Sequence, residues 1–198
     1  MAQKARRGQS GSTGRRTPRS VPTTFRVDAD TFEGISSLAD KEKTSINAVV
    51  NRALRRHIEW EVFAEKFGLQ SVTGATLTKL FDLITDKQAR ELGENYGNNI
   101  APELITFWFK KLDFTTILKA LELLGMRYGR LFHFDYVSEG AKCRLFIRHE
   151  RGMKLSIYYE AAAKALFGRL GIKPETSLTQ SQVTVTIFTK EVLNAKPA

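Results

Sequence analysis

The sequence predicts an α+β protein with two folded parts: a strand–helix–helix unit over residues 22–68 and a larger α+β domain over residues 69–198. Two observations predict this division. Apolar residues recur at three- and four-residue spacing up to residue 67, and the pattern lapses into Gln, Ser, Thr and Gly over residues 68–74. With 198 residues, 42% hydrophobic and 26% charged, the chain has globular proportions and enough length for two cores.

Residues 1–21 form a strongly basic N-terminal segment, which we call the arm. The chain has a net charge of +10, and the first 20 residues contain no acid. Glycine, serine and proline interrupt the basic residues, and few apolar side chains are present to offset the entropy of ordering. We therefore expect a disordered arm that contacts phosphates, although an organelle transit peptide and a solubilising tail are alternatives. Its basic residues are Lys4, Arg6, Arg7, Arg15, Arg16 and Arg19.

The strand–helix–helix unit begins with an alternating segment. Phe25 and Val27 alternate with Thr24 and Arg26, which is the two-residue period of a half-buried strand. Asp28 is a good N-cap for a first helix. Acidic side chains in the first turn of that helix interact favourably with the helix dipole. The apolar face of this helix consists of Phe32, Ile35, Leu38 and Ala39.

A second helix follows, capped by Thr44 or Ser45, and it extends as far as Gly68. Its apolar residues recur at helical spacing, which indicates an amphipathic helix. These residues are Ile46, Val49, Val50, Ala53, Leu54, His57, Ile58, Trp60, Val62, Phe63 and Phe67.

This unit needs a second copy of itself. A single strand leaves backbone N–H and C=O groups unpaired on both sides, and about 40 residues bury too little surface for independent stability. If two chains pair their strands antiparallel about a two-fold axis, Phe25 and Val27 face the four helices. Thr24 and Arg26 then project from the outer face of the ribbon. The sequence therefore predicts a homodimer or a higher even oligomer.

Residues 22–58 resemble the ribbon-helix-helix superfamily of DNA-binding repressors. The resemblance rests on the strand at 23–28, the helix at 32–39 and the Ser-capped helix at 44–54. It implies that the paired strands enter the major groove of double-stranded DNA, where Thr24 and Arg26 read base edges, and that the second helix aims its N-terminus at a phosphate. The phosphate contact maps to Ser45 and Ile46. An ordinary strand–helix–helix fragment of a larger core is the alternative.

The second domain alternates between helical and strand patterns. If residues 104–109 form a strand, rather than continue a helix from Pro102, the order is β-α-β-β-α-β. That order predicts a ferredoxin-like α+β sandwich. The predicted elements are helices at 77–84 and 86–92, a strand at 104–109, a helix at 114–124, strands at 130–137 and 142–149 joined by a turn at 138–140, a helix at 154–170 and a strand at 182–189.

The titratable residues of the second domain do not form a recognisable catalytic or metal motif. An enzyme would require an unmatched site around His133, Asp135 and His149, and His149 lies on the same strand face as apolar residues. Some ribbon-helix-helix repressors sense metals through a ferredoxin-like domain, but His133, Cys143 and His149 are three scattered candidates for a four-ligand site. We therefore expect no enzyme activity, no metal and no cofactor.

A basic cluster in the second domain is open to two interpretations. One face of the strand at 142–149 and the residues after it could be a solvated surface or a second contact to nucleic acid, and the nearly balanced charge of residues 61–198 favours the first. The cluster consists of Arg144, Arg148, Arg151 and Lys154.

Taken together, these patterns predict a homodimeric, sequence-specific DNA-binding transcriptional regulator, most simply a repressor. A single cysteine without a secretory leader fits the cytoplasm, where such a protein would associate with the nucleoid, and no apolar run is long enough for a membrane span. Residues 69–198 would receive a small-molecule or protein effector. The alternative is an antitoxin-like or assembly protein whose second domain binds a protein partner.

Overall fold

The computed structural model describes residues 20–188, which fold as an α+β protein. The described residues contain eight α-helices and one four-stranded antiparallel sheet. They divide into two compact units, with the division between Val50 and Asn51. The sequence placed a domain boundary at residue 68, so the helical residues from 51 to 67 belong to the second unit in the structure. Among residues 20–188, no helix has the length and hydrophobicity needed to cross a membrane.

The first unit contains helix α1 and the start of helix α2. Helix α1 spans Ala29–Lys41 and α2 spans Ile46–Arg56, which confirms both predicted helices. Asp28 occupies the N-cap position of α1, although its side chain makes no capping hydrogen bond. The hydroxyl of Ser45 accepts a hydrogen bond from the backbone N–H of Ala48 at 3.1 Å, as expected for the N-cap of α2.

Residues 20–28 have no regular secondary structure in the single chain. The strand predicted over residues 23–27 is therefore not formed here. A lone extended segment has no partner for its backbone N–H and C=O groups, and a strand at this position requires pairing with another segment. Pairing between two copies stays a prediction.

The second unit begins with a nearly continuous run of helices joined by π-helical turns. Three of the helices start at side-chain caps, which are provided by Thr73, Thr85 and Asp113. The segments that follow α2 are a π turn at His57–Glu61, α3 at Val62–Phe67, α4 at Gly74–Asp82, α5 at Asp86–Asn95, a π turn at Tyr96–Ile100, α6 at Ala101–Phe109, α7 at Phe114–Glu122 and a π turn at Leu123–Arg127.

The strand predicted at residues 104–109 is wrong, because these residues belong to α6. Leu104, Ile105 and Trp108 are buried while Glu103 and Thr106 are exposed, which is a helical rather than an alternating pattern. Pro102 lies in the first turn of α6, where a missing N–H costs little. Without this strand the β-α-β-β-α-β order fails, and the ferredoxin-like prediction loses its basis.

The sheet comes entirely from the last third of the described chain. A hairpin precedes one long helix, and two further strands follow it, so the order along the chain is β-β-α-β-β. The strand order in the sheet is β1-β2-β4-β3, with every neighbouring pair antiparallel. The elements are β1 at His133–Glu139, β2 at Lys142–Arg148, α8 at Met153–Gly168, β3 at Glu175–Leu178 and β4 at Gln182–Phe188.

The main core of the second unit lies between the inner face of the sheet and α8. On β2, Cys143, Leu145 and Ile147 point inward, as their alternation predicted, and β4 contributes Val183 and Val185. Helix α8 has ten buried residues out of 16, so most of this helix is packed inside the domain. The core is therefore three-layered, with α8 between the sheet and other helices, including α5.

Candidate functional sites

The segment that carries the predicted base-reading residues is exposed along its whole length. Thr24 and Arg26 both face solvent, and their apolar neighbours Phe25 and Val27 are 61% and 47% exposed. Large apolar side chains that are exposed close together mark a candidate interaction surface. Both sets of side chains are thus available for contact with another molecule.

The helices of the first unit also leave most of their apolar faces uncovered. Phe32 on α1 is 51% exposed, and Leu38 and Ile46 are 40% and 38% exposed. In the described part of this unit, Ala39 and Val49 are the buried apolar residues. Two buried side chains are far fewer than a stable core requires.

The predicted phosphate contact lies at the start of α2. Ser45 and Ile46 are exposed, and Ser45 is already engaged as the cap of this helix. A helix N-terminus carries partial positive charge from its backbone N–H groups, which makes it suited to an anion. The basic residues of the arm, Lys4, Arg6, Arg7, Arg15, Arg16 and Arg19, lie outside the described residues.

The second unit contains a buried serine–histidine pair that sequence reasoning did not find. The Ser156 hydroxyl donates to the Thr179 carbonyl oxygen at 2.5 Å, and the Ser156 Oγ lies 3.0 Å from His149 Nε2. His149 Nδ1 accepts the backbone N–H of Arg151 at 3.3 Å. With the serine proton committed to Thr179, Nε2 carries the imidazole proton and donates to Oγ.

This hydrogen-bond arrangement does not activate Ser156 as a nucleophile. A general base must accept the serine proton, whereas His149 is the donor in this pair. Ser156 is also fully buried, and burial together with the charge of Arg151 lowers the pKa of His149 to about 4. The pair therefore fixes the end of β2 against α8, and the prediction that His149 faces the core is confirmed.

Of the other residues considered for an enzyme site, His133 lines the same open cleft as His149, whereas Asp135 does not. His133 and Asp135 are exposed on β1, and Asp135 forms an ion pair with Arg148 at 3.6 Å. Among residues 20–188, no group of three or more His, Cys, Asp or Glu side chains could hold a metal ion. Cys143 is a free, buried cysteine on the core face of β2.

The second basic cluster is largely engaged in contacts within the domain. Arg144 and Arg148 pair with acids of β1, Glu139 and Asp135 respectively. Arg151 donates to the carbonyl oxygens of Leu131 and Arg130, and Lys154 donates to the carbonyl oxygen of Asp82. These partners favour a structural role for the cluster over a second nucleic-acid contact.

The second unit also contains an apolar cavity of about 310 Å³ that is partly open to solvent. Its inner wall includes Leu145 and Val185 from the sheet, and its outer end includes the exposed residues Leu92 and Ile100. Sequence reasoning missed it, because an amphipathic pattern shows that residues are buried but not whether they meet without a gap. The available signal was the distribution of apolar residues around all sides of α8, rather than on one face.

Comparison with protein-family models and with curated proteins gives no match for this chain.

Proposed function

We propose that this protein is a homodimeric, sequence-specific DNA-binding regulator whose first unit is a ribbon-helix-helix module. The observation that carries the proposal is the incomplete first unit, in which the apolar side chains of residues 20–50 follow strand and helix periods yet remain mostly exposed. A second copy of the same unit has the complementary apolar faces, and closed two-fold symmetry is the commonest arrangement for such self-complementary surfaces.

Pairing of the two extended segments would complete the module. Antiparallel pairing of residues 23–27 from two chains satisfies backbone N–H and C=O groups that are otherwise left to water. The same pairing places Phe25 and Val27 on the helical side, where each buried side chain contributes about 1.5–3 kcal/mol. Dimer formation and strand formation are then one event.

The outer face of this ribbon would read the DNA sequence. Thr24 and Arg26 lie on the face opposite Phe25 and Val27, and Arg26 is exposed in the single chain. An arginine can donate two hydrogen bonds to guanine O6 and N7, and a threonine offers a hydroxyl and a methyl group to neighbouring bases. Ser45 and Ile46, at the start of α2, would receive a backbone phosphate.

Selection from a pool of random duplexes, using the full chain, tests this proposal. We expect enrichment of a short inverted repeat, because a two-fold symmetric dimer reads two symmetric half-sites. Failure to enrich any sequence would contradict base readout and favour the antitoxin-like or assembly alternative, in which the module dimerises and the second domain binds a protein.

The variant Arg26→Ala provides a second test, in which its affinity for the selected site is compared with its affinity for altered sites. We expect the variant to lose about 1–3 kcal/mol of discrimination between the selected site and a site altered at one base pair. Arg169→Ala is the matched control, since it removes the same charge from an exposed position after α8. Discrimination should be unchanged in the control. A uniform loss of affinity for every duplex in Arg26→Ala would contradict its role in base readout.

A further inference from the structure

The apolar cavity in the second unit has the size and lining of a ligand site. Small-molecule sites are commonly about 300–1,000 Å³, and this cavity holds about 310 Å³. A cavity of about 150 Å³ lined by aliphatic and aromatic side chains is large enough for one benzene ring. The cavity here therefore has room for two fused rings.

The lining excludes a charged ligand. Almost all of the surface that faces the cavity is carbon, and none of the described lining residues is charged. An ion transferred into such a space would lose its hydration without gaining a partner. Polar groups in the lining residues are limited to Asn95 and three tyrosines, Tyr96, Tyr158 and Tyr159. Burial raises the pKa of each of these tyrosines, so their hydroxyls are neutral near pH 7.

Six of the lining residues are aromatic, and their arrangement favours a flat ligand. The ring of Tyr158 lies 5.3 Å from that of Phe81 in an edge-to-face contact and 5.9 Å from that of Tyr96. Phe132 and Tyr159 form a second edge-to-face pair at 5.2 Å. Rings arranged in this way offer both faces and edges to another aromatic group.

The helices around the cavity hold it open rather than close on it. The π turn at Tyr96–Ile100 places Tyr96 and Ile100 in the lining, and π turns are frequent at functional sites. Ala162 and Ala163 on α8 also belong to the lining, where their short side chains leave space that a larger residue would fill. An unfilled space of this size forfeits packing contacts, which a bound molecule would restore.

We propose that this cavity binds an uncharged, planar aromatic molecule of about two fused rings, which enters past Leu92 and Ile100. The site lies wholly within the second unit, so the proposal does not depend on DNA binding by the first.

The test uses the fluorescent dye 6-propionyl-2-(dimethylamino)naphthalene, which is uncharged, has two fused rings and shifts its emission to the blue in apolar sites. We expect saturable binding of one dye per chain, with displacement by 2-naphthol. Naphthalene-2-sulfonate has the same ring system with a fixed negative charge, and it should not displace the dye. Absence of saturable binding, or equal displacement by the sulfonate, would overturn the proposal.

Two variants test whether the dye binds in the cavity. Ala163→Leu fills the interior and Leu92→Trp obstructs the outer end, and each should weaken dye binding about tenfold or more, equivalent to about 1.4 kcal/mol. Leu83→Trp is the matched control, because Leu83 is 83% exposed and does not line the cavity. The control variant should bind the dye with the same affinity as the unaltered protein. Equal weakening by the control would contradict this location.

Methyl NMR of the unaltered chain provides a measurement that does not depend on any variant folding. On addition of 2-naphthol, ring currents should shift the methyl signals of Ala162 and Ala163. The methyl of Ala120, which is buried but lies outside the cavity lining, should not move. Shifts confined to surface alanines would show that the molecule binds elsewhere and would overturn the proposal.

Discussion

A single buried imidazole couples the stability of the second unit to pH. His149 is 5% exposed, and burial followed by the charge of Arg151 lowers its pKa from 6.5 to about 4. In the unfolded chain the ring binds a proton below about pH 6.5, whereas in the folded chain it stays neutral until about pH 4. Between about pH 6.5 and pH 4, the unfolded chain therefore binds more protons than the folded chain, and lowering the pH destabilises the folded state.

We expect the free energy of unfolding to fall by about 2 kcal/mol between about pH 7 and pH 5 through this residue. Most carboxyl groups titrate below that interval, so the slope reports chiefly on histidine. Urea denaturation at several pH values measures it. His149→Gln should remove most of the slope, while His133→Gln, at an exposed position, should leave it intact. Identical slopes in both variants would refute the assignment.

At the scale of single residues, alternation in the sequence predicted which side chains of β2 are buried. Cys143, Leu145 and Ile147 on β2, and His149 directly after it, all lie inside, because a strand that is half-buried exposes every second residue. The contact between His149 and Ser156 was beyond such reasoning. It depends on how β2 packs against α8 in three dimensions, and a linear pattern contains no information about that distance.

At the scale of elements, short apolar runs were the weak point of sequence reasoning. Residues 104–109 are almost wholly apolar, so neither a helical nor a strand period can be distinguished in them. Strand β3 was not predicted, since Glu175–Leu178 is a half-buried edge strand composed mostly of polar residues. The amphipathic helices α2 and α7 were predicted, because one face of each is polar and the period is then visible.

The packing of the helices against α8 depends on glycines of close approach. A Cβ atom at Gly97 would lie 2.3 Å from the carbonyl oxygen of Ala162 and 2.8 Å from the Cβ of Ala165. Gly93, one turn earlier on α5, would place its Cβ 2.3 Å from the carbonyl oxygen of Tyr158. These glycines therefore set the distance between α8 and the segment that carries Tyr96.

Gly97→Ala should destabilise the protein by about 1–3 kcal/mol, because the backbone of α8 must move to admit the methyl group. The matched control is Gly168→Ala at the end of α8, where a Cβ meets no atom within 4 Å. Higher helix propensity should make that change neutral or stabilising by up to about 1 kcal/mol. Thermal and urea denaturation of both variants provide the measurement. A loss of stability in the control that equals the loss in Gly97→Ala would contradict the close-approach argument.

For the molecule as a whole, the proposed DNA binding would divide affinity and specificity between different segments of the chain. Residues 1–20 contain six basic residues and no acid, whereas the first turn of α1 carries Asp30. If all six arm charges neutralise phosphates, they contribute about 5 per chain to the slope of log affinity against log salt. Deletion of residues 2–20 should flatten that slope and preserve the preference for the selected site. An unchanged slope would contradict phosphate binding by the arm.

Self-association is the property on which the DNA-binding proposal depends most directly. We expect the full chain to sediment as a dimer, and Phe25→Ala to weaken the dimer by about 1.5–3 kcal/mol per chain. Because both copies lose the side chain, the dissociation constant should rise roughly 100-fold or more. Val72→Ala is the matched control, since Val72 is 57% exposed but lies in the second unit. A chain that stays monomeric at all concentrations, or equal effects of the two variants, would mean that residues 23–27 do not pair. Thr24 and Arg26 would then have no ribbon from which to reach a major groove.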